Sequence, residues 1–263
     1  MIDATLATSR RRHILIAGFA PIVLFALGAD SRLLLERGFD GQVLSNLTAP
    51  LYFLLMLSGL RAEQRLMAIV FVPFSALGEY LFSLVFQLYT YKFGTVPFYV
   101  PFGHAILFST GLLIADLPIV LAHEARVRWA LIAFHAGLFG GAALALHDTL
   151  SALFGALFIL ILYRKRGRPF YLIMGVLVLY IELVGTALGC WGWGAAPFGV
   201  LHTTNPPVGA FACYVIADLL VMKIATRLAP LLRMPVFSAY SGLETDSAHA
   251  ETSVESASQP LNP

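Results

Sequence analysis

Two glutamates and a histidine stand where acids and bases are rare. Glu79 and Glu182 fall inside long apolar runs, and His104 follows the loop beyond the first of them. A charge in hydrocarbon costs at least ~2.5 kcal/mol on insertion scales, so an ionisable residue in such a run carries a functional hypothesis by default. A carboxyl beside an imidazole is a proton donor and acceptor pair, the equipment of general acid and base catalysis. Glu79, His104 and Glu182 are therefore the candidate catalytic residues. Ser75, Glu79, Ser83 and Gln87 recur at every fourth position, which predicts a polar stripe on one inward-facing side of a helix, and Glu182 with Thr186 repeats its beginning. Asp116 and Asp218 complete the set of intramembrane acids. With Ser83, Tyr89, Tyr91, Trp191, Trp193 and Asn205 they form the candidate substrate contacts.

Each of these residues also has a plainer role open to it. A transmembrane Glu can serve as hydrogen-bonding glue between helices. Asp116 and Asp218, nearer the inner interface, can pair with cations there, and the paired aromatics lie where an interfacial belt belongs. Other chemistries lack their residues. The chain has no HExxH, GxSxG or P-loop, no histidine array for a di-iron centre, and no acidic cluster to hold Mg²⁺ and a diphosphate. Cys190 and Cys213 have neither CxxC nor zinc-ligand spacing. No metal and no cofactor is expected.

The elements that must position these groups follow from composition. Of 263 residues, 59% are hydrophobic and 12% charged, with a mean hydropathy of +0.80, which predicts an all-α polytopic membrane protein. Membrane lipids are its expected partners, and the polar groups within the spans add the expectation of a hydrophobic small-molecule substrate. A net charge of +2, segregated by loop, argues against a nucleic-acid partner. A span needs about 20 apolar residues, with ~17 as a lower limit. Eight segments meet or approach that length, at residues 14–29, 43–60, 66–88, 102–122, 129–145, 150–163, 170–188 and 207–225. The fifth and sixth are short and divided only by His147-Asp148.

Charge placement tests the count, because cytoplasmic loops hold the excess Lys and Arg. With both termini in the cytoplasm, Arg10 to Arg12, Arg61, Arg65, Arg126, Arg128, the cluster from Arg164 to Arg168, Lys223, Arg227 and Arg233 all fall inside. Only Arg32, Arg37 and Lys92 fall outside. Merging the fifth and sixth spans would reverse the Arg164 to Arg168 cluster. A bacterial inner membrane is the expected location. The cationic start before the first span is expected to be a retained anchor rather than a cleaved signal. Residues 230–263, rich in Ser, Thr, Glu, Ala and Pro, are expected to be a disordered cytoplasmic tail. Asn46-Leu47-Thr48 fits a glycosylation sequon but starts a span, and is read as chance.

An internal repeat organises the rest. Glu79 is followed by Tyr89-Thr90-Tyr91, Gly94, Pro101-Phe102-Gly103 and Ile114-Ala115-Asp116. Glu182 is followed by Trp191-Gly192-Trp193, Gly194, Pro207-Val208-Gly209 and Ile216-Ala217-Asp218. The acids are 37 residues apart in the first copy and 36 in the second. An offset of four spans keeps orientation, so the expectation is two parallel four-helix repeats, residues 1–125 and 126–229, related by an axis along the membrane normal. At ~1.5 Å per residue, Glu79 lies ~20 Å above the inner end of its span, so the Glu layer is separate from the deeper Asp layer. The two outer loops, rich in Gly, Pro and aromatics, can fold back to roof a cavity.

The stretch GEYLFSLVFQLYTYKFGTVPFYVPFGHA at residues 78–105, with ELVGTALGCWGW at residues 182–193, resembles the CruF-type carotenoid biosynthesis membrane proteins. The likeness lies in a transmembrane Glu, a downstream Tyr-x-Tyr, a glycine and a Val-Pro-Phe loop, over about a third of the chain. It implies hydration of a carotenoid end-group double bond, or related cyclase-like chemistry, without a redox cofactor. Glu79 or Glu182 would then protonate the alkene while the aromatics stabilise the cation. His104 and Asn205-Pro206-Pro207 depart from the family pattern. Two other classes are open on the residues alone. One is a proton-coupled transporter or channel, suggested by parallel repeats and membrane-depth carboxylates; the other is a non-catalytic assembly or lipid-binding protein.

Overall fold

The computed structural model describes residues 2–165 and 167–232, with side chains from Ser9 onward. The expected tail falls almost wholly outside the described residues. The elements in chain order are α1 (Ile2–Ala29), α2 (Arg32–Glu36), α3 (Gln42–Leu57), α4 (Ala62–Glu79), a π-helical turn (Tyr80–Val85) and β1 (Tyr89–Tyr91). They continue with α5 (Tyr99–Ala115), α6 (Pro118–Ala122), α7 (Glu124–Ala145), α8 (Thr149–Arg164), α9 (Pro169–Ala187), β2 (Trp191–Trp193), a 3₁₀ turn (Pro197–Gly199) and α10 (Phe211–Leu231).

Local chemistry sets the ends. The Gln64 side chain accepts the Arg61 backbone N–H at 3.0 Å and closes the start of α4. Asp148 caps α8 through the Ser151 N–H at 2.8 Å. Pro169 opens α9 at a position where no N–H is needed. Pro21, Pro50, Pro73 and Pro230 lie inside helices, as membrane helices tolerate when their neighbours re-satisfy the backbone.

Among the described residues, four helices are long and apolar enough to cross a bilayer: Ser9–Glu36, Ala62–Val85, Glu124–Ala145 and Pro169–Ala187. Gln42–Leu57, Tyr99–Ala115 and Thr149–Arg164 are apolar but shorter. α10 has 21 residues and carries Asp218, Lys223 and Arg227. Leu47, Leu51 and Leu54 on α3, and Leu153 and Ile159 on α8, are exposed on the outside of the bundle, where only an apolar solvent suits them. The chain is a helical membrane protein.

α4, α5, α9 and α10 form the centre: α4 packs on α5 and α10, and α9 packs on the same two. α1 and α3 flank α5, while α7 and α8 flank α9 and α10. Phe71, Phe108, Phe158, Tyr171 and Phe211 are almost fully buried in this core. Gly111 lets α5 approach α9 closely, since a Cβ there would collide with Met174.

Three details depart from the helix-only expectation. β1 and β2 pair antiparallel, Tyr89 opposite Trp193, Thr90 opposite Gly192 and Tyr91 opposite Trp191. The helix expected across residues 102–122 breaks at Leu117, which is extended (φ −64°, ψ 135°) because Pro118 follows it. The stripe from Ser75 stays buried through Glu79 and Ser83 but not to Gln87. The π turn changes the residue period beyond Glu79, and Gln87 leaves the helix at φ 52°.

Candidate active site

Glu79 is the last residue of α4, and β1 folds back over it. The Tyr89 and Tyr91 hydroxyls donate to Glu79 Oε2 at 2.8 and 2.5 Å. Its other oxygen, Oε1, lies 3.2 Å from Nε2 of His104 on α5. The far side of that ring fixes its protonation. His104 Nδ1 is 3.0 Å from the Val100 carbonyl, which can only accept, so the hydrogen on that side sits on Nδ1. One proton between Nε2 and Oε1 then completes the pair, as imidazolium to carboxylate or as carboxylic acid to imidazole.

Glu182 on α9 is served by its own strand. Trp191 and Trp193 each donate an indole N–H to Oε2 at 3.0 Å, and Tyr214 on α10 donates to Oε1 at 3.0 Å. A Cβ at Gly185 would run into the Trp191 ring, so the glycine one turn above Glu182 makes room for that indole. Tyr214 also stacks on His104, with centroids 4.9 Å apart and planes at 9°, which joins the two acids into one cluster. Both glutamates are buried, at 5% and 3% exposure.

Two apolar cavities meet at this cluster. One of about 80 Å³ lies toward α1 and α3, and the other, about 260 Å³, lies between α4 and α10. Glu79, Tyr89, His104, Glu182, Trp193 and Tyr214 line both. A proton held at the Glu79–His104 pair therefore faces space that suits hydrocarbon.

Among the other sequence candidates, Ser83 is buried in the π turn and lines neither cavity. Asn205 accepts the Trp193 backbone N–H at 3.1 Å and so fixes β2 rather than facing a cavity. Asp116 belongs to the other end of the bundle, with Arg61 at 3.0 Å and Gln64 at 2.9 Å. Asp218 is fully buried, and neither of its carboxyl oxygens has a hydrogen-bond partner among the described residues. Glu79, His104 and Glu182 are thus gathered at one place with Tyr89, Tyr91, Trp191 and Trp193, whereas Ser83, Asn205 and the two aspartates line neither cavity.

Several residues escaped the sequence reading. Tyr214 had a signal, since it stands one helical turn before Asp218 in an apolar helix. Asp30 and Lys92 form a buried pair at 2.9 Å that ties the end of α1 to the residue after β1. Tyr99 and Gln42 also donate to Asp30, at 2.8 and 3.2 Å. Just before α8, Asp148 accepts from Ser151, Thr203 and Thr204. Burial works to raise the Asp148 pKa, but the hydrogen bonds from Ser151 and Thr204 outweigh it and hold the group below its ordinary value. The asparagine of the sequon is spoken for too: Asn46 Oδ1 accepts the Tyr99 N–H at 3.1 Å.

Among the described residues there is no group of three or more His, Cys, Asp or Glu placed to hold a metal ion. No model of a known protein family matches the chain, and neither does any curated protein or solved structure.

Proposed function

We propose that this protein acts on a terpenoid or other lipid-like substrate by acid and base proton transfer within the membrane, with Glu79 and His104 moving the proton. The observation that carries this reading is the 3.2 Å approach of His104 Nε2 to Glu79 Oε1 at the junction of two apolar cavities. A double bond lying across the junction would take that proton: the π electrons form the new C–H bond, and the neighbouring carbon becomes cationic. The cation then loses a proton from an adjacent carbon, or adds water whose extra proton leaves, and either proton restores the pair. The faces of Tyr89, Trp193 and Tyr214 and the carboxyl of Glu182 offer negative density where the positive charge develops. The resemblance to CruF-type proteins makes a carotenoid end group the first substrate to try, in hydratase-like or cyclase-like chemistry.

The architecture that belongs to this reading has eight spans in two parallel four-helix repeats, set in a bacterial inner membrane with both termini in the cytoplasm. Each acid takes its hydrogen bonds from the aromatic pair of its own copy, and an antiparallel β1–β2 pair is what a two-fold axis along the membrane normal would generate. The 16 or 17 residues of α3, α5 and α8 reach ~24–26 Å, short of a full core but within what bilayer thinning and snorkelling absorb.

Expression in a carotenoid-producing host tests the chemistry. Wild type is expected to change the pigment profile, by the mass of one water for hydration or by retention time alone for a cyclised isomer. Glu79→Gln and His104→Asn are expected to lower that conversion by about 10²-fold or more. Pigments left unchanged by wild type, or changed equally by wild type and Glu79→Gln, would overturn the reading.

A further inference from the structure

We infer that Glu182 and the aromatic rings around it bind a hydrophobic organic cation, an alkyl- or aryl-substituted ammonium, in exchange for a proton. The site goes beyond the proposed reaction and does not depend on it. Charge counting leads to it. With one proton between them, Glu79 and His104 are neutral as a pair, whether as carboxylate with imidazolium or as carboxylic acid with imidazole. Lys92 is cancelled by Asp30 at 2.9 Å. The Glu182 side chain has no cation against it, since its partners are two indole N–H groups and the Tyr214 hydroxyl. As a carboxylate it leaves the centre of the bundle one positive charge short, and a buried charge without a counter-charge is destabilising.

A proton can supply the missing charge, but only by disturbing the bonds already made. Oε2 accepts from both indoles, which can only donate, so the proton must sit on Oε1. Tyr214 donates to that same oxygen, and its hydroxyl would have to turn round and accept. An organic cation nearby leaves all three bonds intact. Other ionisable groups meet this cluster from Glu79 on α4, His104 on α5, Tyr89 and Tyr91 on β1, and Cys213 on α10. α1 presents only aliphatic side chains to it, and His135 on α7 faces Gly175, two turns nearer the start of α9.

The surrounding wall selects the kind of cation. Tyr89, Trp193 and Tyr214 line both cavities together with Glu182, and aromatic faces attract a cation most strongly where water is excluded. A hard metal ion asks for about six oxygen ligands, which this largely apolar wall does not supply. A cavity of roughly 150 Å³ takes a benzene ring. At about 260 Å³ the larger cavity has room for such a ring with a small quaternary head, and Phe71, Phe74 and Leu220 suit its hydrocarbon part.

Phenyltrimethylammonium and its uncharged isostere tert-butylbenzene, titrated by calorimetry into the purified protein in detergent, test the site without turnover. The ammonium is expected to bind with release of up to about one proton, read from its heat in buffers of different ionisation enthalpy. Its affinity is expected to rise by up to about tenfold per pH unit on the acid side and then level off, while that of the hydrocarbon stays flat. Glu182→Gln fits the same surroundings, because its carbonyl oxygen accepts both indoles and its amide donates to Tyr214. It is expected to weaken the ammonium about tenfold or more and to abolish proton release, leaving tert-butylbenzene within about twofold. Tyr214→Phe serves should that variant fold poorly: it keeps the ring and removes one donor to the carboxylate, so the ammonium still binds at high pH while the proton competes up to a higher pH than in wild type. Equal affinity for the charged and uncharged ligands, or ammonium binding that neither substitution alters, overturns the assignment. No pigment enters the calorimetry, so an ammonium that binds where pigments stay unchanged sinks only the proposed reaction, and the reverse result sinks only the cation site.

Discussion

At the scale of single residues, Glu79, Glu182, Asp116 and Asp218 divide by what surrounds them. Glu79 and Glu182 are each met by three groups, whereas the two aspartates differ from each other. Asp116 is 23% exposed beside an Arg61 that is 39% exposed, so water screens the pair and its worth is about 0–1 kcal/mol. Asp218 has no partner among the described residues, and burying an unpaired polar group costs about 1–3 kcal/mol. Opposite effects follow. Asp116→Leu is expected to lower the unfolding temperature in detergent slightly, because it strands Arg61 and Gln64, while Asp218→Leu is expected to raise it. A loss at Asp218 as large as at Asp116 would mean that the buried carboxyl has a partner in the membrane. The acids themselves were legible in the sequence because each interrupts an apolar run at repeated spacing. Their differing fates were not, since the residues that meet them come from helices far away in the chain.

At the scale of elements, the glutamates depend on two three-residue strands. Tyr89-Thr90-Tyr91 and Trp191-Gly192-Trp193 are too short to show a period, so the sequence displays aromatic pairs and hides the pairing of the strands. What holds the small sheet in place is equally hidden. Lys92 was legible as an outer-loop cation against the charge bias, but its partner Asp30 stands 62 residues earlier, at the end of another helix. The pair is almost completely buried, at 2% and 0% side-chain exposure. Removing one member of such a pair leaves an uncompensated charge and costs about 3–5 kcal/mol. Lys92→Met is accordingly expected to lower the unfolding temperature sharply, and adding Asp30→Asn is expected to recover much of the loss. If the double variant is no more stable than Lys92→Met alone, the ion pair is not what secures the roof over Glu79.

At the scale of the whole molecule, the two acids share one cluster only if their helices run the same way, which an even number of crossings between them guarantees. The count turns on α7 and α8. Together they make the path from the Arg126 loop to the Lys165 loop either a double crossing or a single one, and the chain connects them by a sharp turn at His147, whose φ is 51°. In eight spans, positions 126 and 165 lie on one side and 147 on the other. Single cysteines at Arg126, His147 and Lys165, probed with a membrane-impermeant maleimide, distinguish the arrangements. The native Cys190 will stay silent, since it is fully buried and burial pushes its thiol up to about 12, and Cys213 is replaced by Ala. Labelling of His147→Cys in intact cells, with Arg126→Cys and Lys165→Cys reacting only after permeabilisation, is the expected result. Were 126 and 165 to react on opposite sides, α7 and α8 would amount to one crossing, α9 would be inverted relative to α4, and Glu182 could no longer sit at the height of Glu79 beneath a common pair of strands.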